Sequence, residues 1–359
     1  MSDPDSPEAR LADSLVPPSA SITEAVARLE RAGTGVLLLV EEDMRLWGIL
    51  TDGDIRRAIL GNVPFEKPCR DIATRDPIVG RAGITASEAL HLLDHGREFV
   101  LDQLPLVTED RRVTGLILRS DLVSREKLGV SAVIMAGGYG KRLLPLTEQV
   151  PKPMLPVGDR PLLERTIAHL RDAGIHQVNV TTHYLSEQIR SHFGDGRAFG
   201  VDLTYVTEDL PLGTAGGLRL LPERDEPLLV INGDVLTSVD FRSMLAFHRK
   251  QGADLTVGVR KYDLEVPYGV VETEGHSVRA IKEKPHLSFL INAGVYLLEP
   301  HVRRHIPEGE RSDMTDLVER LLGAGQRVAS FPIVEYWLDV GGHADYRRAQ
   351  SDVKKVKFS

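Results

Sequence analysis

The chain has 359 residues, of which 42% are hydrophobic and 27% charged, as in ordinary soluble globular proteins. Its formal net charge of −8 argues against a general nucleic-acid or membrane-surface binder, because such proteins normally carry a basic excess. Cys69 is the single cysteine, which excludes an internal disulfide framework and favours a reducing compartment. No stretch of the sequence approaches the roughly 18 apolar residues of a membrane-spanning helix. We therefore expect a cytoplasmic protein with two or three domains.

The amino terminus, MSDPDSPEAR, is acidic and rich in proline. It is unlike the basic and then apolar start of a signal peptide. We predict a disordered tail over residues 1–12.

The first third of the chain contains an internal repeat. Each copy reads as an amphipathic helix, a strand, an acidic turn and a second strand. In the first copy the strands are predicted at 36–40 and 46–50, and the apolar face of the helix consists of Ile22, Ala25, Val26 and Leu29. Glu88 corresponds to Glu24 at an offset of 64 residues, and Val107 corresponds to Val40 at an offset of 67, so one loop differs by three residues.

The repeat resembles a tandem pair of CBS domains, of α+β fold, over about residues 13–66 and 67–125. In that family the Thr and Asp of a Gly-x-x-Thr-x-x-Asp turn usually contact the ribose of an adenine nucleotide. The resemblance assigns this role to Thr51 and Asp54 in GILTDGD, and to Asp121 in GLILRSD, where Leu118 replaces the Thr. Alternatively, the two aspartates only cap the helices that follow them.

From Ser131 onward, short apolar strands alternate with amphipathic helices. This pattern predicts a Rossmann-like α/β domain with a mixed, mostly parallel sheet over residues 130–359. The predicted strands are 132–135, 177–181, 203–206, 228–231, 255–259, 278–281 and 293–298, and helices at 162–173 and 186–193 fit between them. Ligands of such sheets bind at the carboxyl ends of the strands.

The first of these strands leads into a glycine-rich loop, AGGYGKRLLPLTEQVPKPMLPVG. Gly137, Gly138 and Gly140 would allow successive backbone N–H groups to turn toward an anion. Glycines alone could also just make a tight turn, and their spacing is neither the dinucleotide fingerprint nor a P-loop.

Two cations in the loop strengthen the case for a phosphate site. Arg142 follows the last glycine of the cluster, and Lys152 lies between Pro151 and Pro153. The prolines restrict the backbone, and we expect Lys152 to be held extended and ready to meet a phosphate.

The whole string resembles the signature of the sugar-1-phosphate nucleotidyltransferases, also called NDP-sugar pyrophosphorylases, and the similarity continues to about residue 349. The resemblance implies transfer of a nucleotidyl group from a nucleoside triphosphate to a sugar 1-phosphate, with release of pyrophosphate. It places Ala136 with the glycines in the nucleotide-binding loop. It assigns catalytic roles to Arg142, Lys152 and Lys284.

Two aspartates follow short apolar segments, Asp234 in LLVINGDVL and Asp339 in YWLDVGG. A single carboxylate at a strand end is commonly a cap or a turn former. Two of them near a phosphate loop suggest a Mg²⁺ site, because Mg²⁺ takes few protein carboxylates and completes its shell with phosphate oxygens and water. The family binds its metal at these positions.

The same correspondence gives a sugar-phosphate pocket. Glu283 in VRAIKEKP would bind sugar hydroxyls and Lys284 the sugar phosphate, whereas surface charge is the simpler interpretation of both. Gly269, Asn292 and Gly294 would complete the pocket.

The segment EDLPLGTAGGL is expected to surround the nucleotide. Gly213 would permit close backbone approach, and Thr214 would cap a helix that begins near Ala215. Glu208 only accepts hydrogen bonds, and guanine offers N1–H and a 2-amino group side by side, so Glu208 favours GTP.

These observations predict a guanylyltransferase for mannose 1-phosphate or glucosamine 1-phosphate, with regulation through nucleotide binding to the CBS pair. A thymidylyl- or uridylyltransferase of the same mechanism is the nearest alternative. A non-catalytic nucleotide-sensing regulator is disfavoured, because the candidate catalytic and metal-binding residues are all present. Lys141, where many relatives have Thr, is the visible departure. Both domain types often associate, so we expect a homo-oligomer.

Overall fold

A computed structural model of the chain describes residues 7–95, 101–122, 127–207 and 212–354. Within these residues no helix combines the length and the apolar character needed to cross a membrane. The first unit consists of α1 (Pro7–Asp13), β1 (Leu15–Val16), α2 (Ile22–Ala32), β2 (Val36–Val40), β3 (Leu46–Thr51), α3 (Asp52–Leu60), β4 (Gly80–Arg81), α4 (Ala86–His95), β5 (Gln103–Val107), β6 (Val113–Leu118) and α5 (Arg119–Leu122).

The repeat seen in the sequence is present in the topology of this unit. The sheets β1-β2-β3 and β4-β5-β6 each have a parallel first pair and an antiparallel second pair. Both antiparallel pairs contain a register irregularity, after Leu39 in one copy and after Leu106 in the other. In α2, Ile22, Ala25 and Leu29 are buried as the apolar face predicts.

The prediction of a disordered tail does not hold for residues 7–12, which belong to α1. This helix makes long-range contacts: Leu11 packs on an apolar cluster of the first unit, and Arg10 pairs with Asp121 at 3.1 Å. Composition near a chain end does not reveal such long-range partners. Residues 1–6 lie outside the described part of the chain.

The second unit consists of β7 (Ser131–Met135), β8 (Pro156–Val157), β9 (Arg160–Pro161), α6 (Leu162–Asp172), β10 (Gln177–Thr182), α7 (Ser186–Phe193), β11 (Asp202–Thr207), α8 (Gly213–Gly216), β12 (Leu228–Asn232), β13 (Val235–Thr237), α9 (Phe241–Gln251), β14 (Leu255–Glu265), β15 (Val270–Glu274), β16 (Ser277–Lys282), β17 (His286–Leu298), α10 (Met314–Gly323), β18 (Val328–Pro332), β19 (Trp337–Asp339) and α11 (His343–Asp352).

Seven strands form the central sheet in the order β11-β10-β7-β12-β17-β14-β18. Strand β17 is antiparallel to both neighbours, and the other neighbouring pairs are parallel. Alternate side chains of β7 enter different cores: Ala132 and Ile134 pack with α6, α7 and α9, whereas Val133 packs with α8 and α10. The predicted fold class, a mixed and mostly parallel α/β sheet behind a CBS pair, is confirmed.

Strands β14 and β17 are longer than predicted. Only their buried parts, near 255–259 and 293–298, form the apolar runs that the sequence shows. Beyond them the two strands pair with each other from Arg260 to Glu265, where most side chains are exposed. Cross-strand hydrogen bonds, which leave no apolar signature, extend this ribbon.

The conformation of the glycine-rich loop after β7 depends on one residue in the left-handed backbone region. Gly140 has φ +63° and is followed by a short 3₁₀ turn, Lys141–Leu143. The hydroxyl of Thr147 donates to the carbonyl of Gly140 at 2.9 Å. A Cβ on Gly140 would lie 2.8 Å from the Thr147 side chain and 3.1 Å from that of Lys152, so glycine is required here.

Gly140→Ala is expected to destabilise the protein by about 1–3 kcal/mol, because alanine would combine a left-handed backbone with two close contacts. Gly138→Ala is the matched control: an added Cβ would meet nothing within 4 Å and no positive φ is required. Urea denaturation of both variants provides the comparison. Equal stabilities for the two would contradict this account of the loop.

We also expect Cys69 to be unreactive in the folded chain. It is fully buried, its thiol faces the carbonyls of Pro17 and Pro18, and burial raises its pKa to about 11. At pH 8, Ellman's reagent should react with Cys69 at least about 100-fold more slowly in the native protein than in urea. Equal rates in both conditions would show that this thiol is accessible.

Candidate active site

The glycine-rich loop and Asp234 meet because they follow neighbouring parallel strands. Strands β7 and β12 pair with Met135 opposite Asn232, so their carboxyl ends share one sheet edge. The N–H of Gly233 donates to the carbonyl of Met135 at 2.9 Å. A Cβ on Gly233 would lie 2.6 Å from that oxygen, so glycine lets the two strand ends approach closely.

Lys152 is anchored on Asp234. Its Nζ lies 2.6 Å from Oδ2 of Asp234, and its side chain is only 10% exposed. The expectation of an extended Lys152 is wrong, since Lys152 opens a 3₁₀ turn that ends at Met154. The N–H of Leu155 donates to the carbonyl of Lys152 and closes this turn, while Pro151 is the extended residue before it. Lys152 still lies between two prolines, whose rings restrict the backbone on either side of it.

A short antiparallel ladder places Asp339 beside Asp234. Strands β13 and β19 pair with Val235 opposite Asp339, and the N–H of Val340 donates to the carbonyl of Asp234 at 2.9 Å. The pKa of Asp339 is raised, chiefly by burial and then by the charge of Asp234, with Lys152 acting in the opposite direction. We refer to Asp234 and Asp339 as the carboxylate pair.

The carboxylate pair fits a divalent cation. Oδ1 of Asp339 is buried without a hydrogen-bond partner among the described residues. An unpaired buried carboxylate oxygen is costly unless something positive reaches it. Within the described residues, no group of three or more His, Cys, Asp or Glu side chains could hold a metal. Two carboxylates suit Mg²⁺, which takes few protein carboxylates and completes its shell with phosphate oxygens and water.

Arg142 lies against the segment that follows Asp339. A Cβ on Gly341 would be 3.0 Å from Nη1 of Arg142. The neighbouring His343 is 2.8 Å, through Nε2, from the carbonyl of Leu144 in the same loop. Arg142 itself is exposed and accessible to an anion. The loop thus places a second cation near the carboxylate pair.

Asn292 and Gly294 lie where β17 passes the end of β12. The side-chain oxygen of Asn292 accepts a hydrogen bond from the N–H of Gly294, and its Nδ2 donates to the hydroxyl of Tyr296. Gly294 has φ +68°, and a Cβ there would lie 2.6 Å from the side chain of Asn232.

Asn232 is a candidate that sequence reasoning missed. Its Oδ1 is buried without a hydrogen-bond partner in the described part of the chain. It stands two residues before Asp234, on the strand that delivers that carboxylate. The available signal was a polar residue ending an otherwise apolar strand, LLVIN.

Gly269 directly precedes β15 of the β15–β16 ribbon, and Glu283 and Lys284 directly follow β16. A Cβ on Gly269 would be 3.2 Å from Oε2 of Glu283, and Lys284 has an unusual positive φ of 41°. Among the described residues no hydrogen bond or ion pair links Lys284 to Lys152 or to the carboxylate pair. Their roles in sugar-phosphate binding therefore remain predictions.

The segment predicted to surround the nucleotide is described only in part. Glu208 lies outside the described residues. Gly213 has φ +81° and packs against the backbone of Ser312. Thr214 does not cap its own helix, which begins at Gly213; its hydroxyl instead accepts from the N–H of Met314 at the start of α10. That long-range partner, a hundred residues along the chain, corrects the local prediction.

In the first CBS-like repeat, Thr51 and Asp54 form a capping box at the start of α3. The backbone N–H and the hydroxyl of Thr51 each donate to Asp54 at 2.8 Å. In the second repeat, Asp121 accepts from the N–H of Leu118. The capping role is thus present in the geometry, and the ligand role remains a prediction.

Comparison with known proteins assigns each of the two units to a family. Residues 131–356 match the nucleotidyl transferase family, and residues 15–61 and 69–127 each match the CBS domain. A mannose-1-phosphate guanylyltransferase of Mycobacterium tuberculosis is 37% identical over 62% of this chain and 64% of its own length. A UTP–glucose-1-phosphate uridylyltransferase of Synechocystis is 35% identical over 61% and 62% of the two chains. The chain thus spans less than two thirds of these curated relatives.

Other relatives match over nearly their full length. A D-glycero-alpha-D-manno-heptose 1-phosphate guanylyltransferase of Aneurinibacillus thermoaerophilus is 34% identical over 63% of this chain and 99% of its own. A solved structure described as a glucose-1-phosphate thymidylyltransferase of Bacillus anthracis is 27% identical with a TM-score of 0.53, covering 64% of this chain and 97% of that chain. With the matched family covering the whole second unit, the chain belongs to the nucleotidyl transferase family and carries a pair of CBS domains ahead of that domain.

Proposed function

We propose that the protein transfers a nucleotidyl group from a nucleoside triphosphate, GTP above all, to a sugar 1-phosphate, giving an NDP-sugar and pyrophosphate. The observation that carries this proposal is the contact of Lys152 with Asp234, next to a second carboxylate, Asp339, one oxygen of which is buried with no hydrogen-bond partner in the described part of the chain. A cation and a carboxylate pair beside a glycine-rich loop are the parts that phosphoryl chemistry requires.

The reaction needs no general base. A phosphate monoester has a second pKa of about 6, so the attacking oxygen of the sugar phosphate is already anionic near neutral pH. Positioning and charge neutralisation are left to the protein. Lys152 donates one of its three ammonium protons to Asp234, which leaves two for phosphate oxygens.

The remaining candidates surround this point. The glycine loop and Arg142 would bind the triphosphate, and Lys284 would bind the sugar phosphate. Asp234 and Asp339 would hold Mg²⁺, which when bound supplies positive charge to the phosphate that is transferred. Asn292 and Gly294, beside Asn232, would line the sugar pocket.

GTP is favoured on two grounds. Several relatives are named guanylyltransferases, and Glu208 supplies an acceptor that matches the donor edge of guanine. For the acceptor, mannose 1-phosphate and glucosamine 1-phosphate are the proposed candidates. A uridylyl- or thymidylyltransferase of the same mechanism is the alternative, supported by relatives so named.

The CBS pair would bind an adenine nucleotide through Thr51 and Asp54, and a homo-oligomer is also proposed. The β14–β17 ribbon exposes the apolar side chains of Tyr262, Leu264 and Phe289, an arrangement typical of contact surfaces. A single, buried cysteine suits the cytoplasm.

The substrate proposal is tested by measuring pyrophosphate release with ATP, GTP, UTP and dTTP, each against mannose, glucosamine, glucose and heptose 1-phosphates, with and without Mg²⁺. We expect the highest kcat/KM with GTP and no turnover after chelation. Activity confined to UTP or dTTP would instead identify the protein as a uridylyl- or thymidylyltransferase. Absence of pyrophosphate release in every combination would exclude the proposed chemistry.

Lys152→Met is expected to lower kcat by about 10²- to 10³-fold, because it removes a positioned cation while keeping the side-chain volume. Lys282→Met serves as the control, since that lysine is exposed and pairs with Glu272 on the β15–β16 ribbon. Circular dichroism and urea denaturation should show both variants folded. Full turnover by Lys152→Met would remove the catalytic role assigned to Lys152.

A further inference from the structure

Arg56 belongs to α3 of the CBS pair, but its side chain reaches the nucleotidyl transferase domain. It is 5% exposed. Its Nε donates to the carbonyl of Pro332 at 2.9 Å, and Nη2 donates to Oε1 of Glu335 at 2.7 Å. The guanidinium carbon lies 4.2 Å from the ring centre of Phe331, and Nη1 pairs with Asp52 on its own helix. These partners hold the guanidinium in one orientation.

Glu335 collects contacts from several elements. Oε1 also accepts from the N–H of Asp240, and Oε2 accepts from the N–H of Val334, each at 3.0 Å. Arg260 of β14 donates to the carbonyl of Glu335 at 2.7 Å. Burial raises the pKa of Glu335 and the charge of Arg56 opposes that shift. Without Arg56, a buried carboxylate would lose its cation, which is strongly unfavourable.

The segment that Glu335 holds continues into the candidate active site. Asp339 is four positions further along the chain. Between them, the carbonyl of Tyr336 accepts from the hydroxyl of Thr237 at 2.8 Å and from the N–H of Ser238 at 3.0 Å. These bonds fasten β19 to β13, the strand that directly follows the other member of the carboxylate pair. The position of Glu335 therefore bears on the geometry of both carboxylates.

The contacts that run from Asp339 back to Arg56 lead to the candidate nucleotide site of the CBS pair. Thr51 and Asp54 form the first turn of α3, and Asp52 in the same turn pairs with Arg56 one turn later. A ribose bound at Thr51 and Asp54 would use the same oxygen atoms that now form the capping box. Helix α3 thus carries both that site and the residue that reaches Glu335.

We propose that Arg56 and Glu335 are positioning residues for the carboxylate pair, so that the CBS pair forms part of the catalytic unit. The inference rests on the proposed function for its effect on turnover. Its structural consequence, a looser β13–β19 ladder when the ion pair is broken, can be measured without any activity.

The test uses the full chain as wild type, Arg56→Met and Glu335→Gln. Hydrogen exchange is followed at the amides of Ser238 and Val340, which donate across the two segments that carry the carboxylates. We expect exchange there to be about tenfold faster in Arg56→Met and faster by a smaller factor in Glu335→Gln, which keeps an acceptor for the arginine. The value of kcat should fall about tenfold in Arg56→Met and by a smaller factor in Glu335→Gln, with KM for GTP within about twofold of wild type in both.

Arg303→Met is the matched control. Arg303 is a partly buried arginine that donates to the carbonyls of Leu221 and Pro222, within the nucleotidyl transferase domain. The Arg303→Met variant should have a lower melting temperature but unchanged hydrogen exchange at Ser238 and Val340. A lower melting temperature with unchanged exchange in Arg56→Met as well would overturn the proposal, because the ion pair would then only add stability.

Glu335→Gln keeps the test decisive if Arg56→Met fails to fold. Exchange at Ser238 and Val340 that matches the wild type in Glu335→Gln, together with an unchanged kcat, would also overturn the proposal. If the wild type releases no pyrophosphate with any triphosphate, the proposed function fails. The exchange measurements would still show whether the Arg56–Glu335 ion pair affects the β13–β19 ladder.

Discussion

The contact between Lys152 and Asp234 is the interaction on which the candidate active site depends. Both side chains are largely withdrawn from water, and a charge in that position needs a partner. Their attraction holds the cationic loop against the edge of the sheet where β7 and β12 end. Asp339 adds a second carboxylate, whose pKa is raised by burial and by the charge of Asp234, while Lys152 and Arg142 act in the opposite direction.

A similar constraint joins the two units. Arg56 is buried on a helix of the CBS pair, and its carboxylate partner Glu335 belongs to the nucleotidyl transferase domain. Apolar contacts reinforce this junction, since Val334 packs among core residues of the CBS pair such as Leu50 and Ile55. The CBS pair is thus attached to the segment that leads to Asp339, rather than to a remote surface of the domain.

Much of the fold could be predicted from the sequence because periodicity is a local property. The helix Ser186–Phe193 and the strand Val36–Val40 have the predicted bounds, and the repeat appears as two sheets of equal topology. The errors share one cause. The 3₁₀ turn at Lys152, the hydroxyl of Thr214 at the start of α10 and the helix over residues 7–12 each depend on a partner distant in the sequence or on burial.

The sequence by itself determined which chemistry-bearing residues the chain contains and placed most of them near predicted elements: glycines and cations after one strand, Asp234 after another, and Asp339 after a short apolar segment. Only the tertiary structure decided which of them meet. Lys152 and Asp234 are 82 positions apart, and Arg56 and Glu335 are 279 positions apart. Local patterns report the face of a helix or strand that is buried, because they arise from neighbours within a few residues. Contacts across such separations depend on strand order and crossover, which local patterns do not encode.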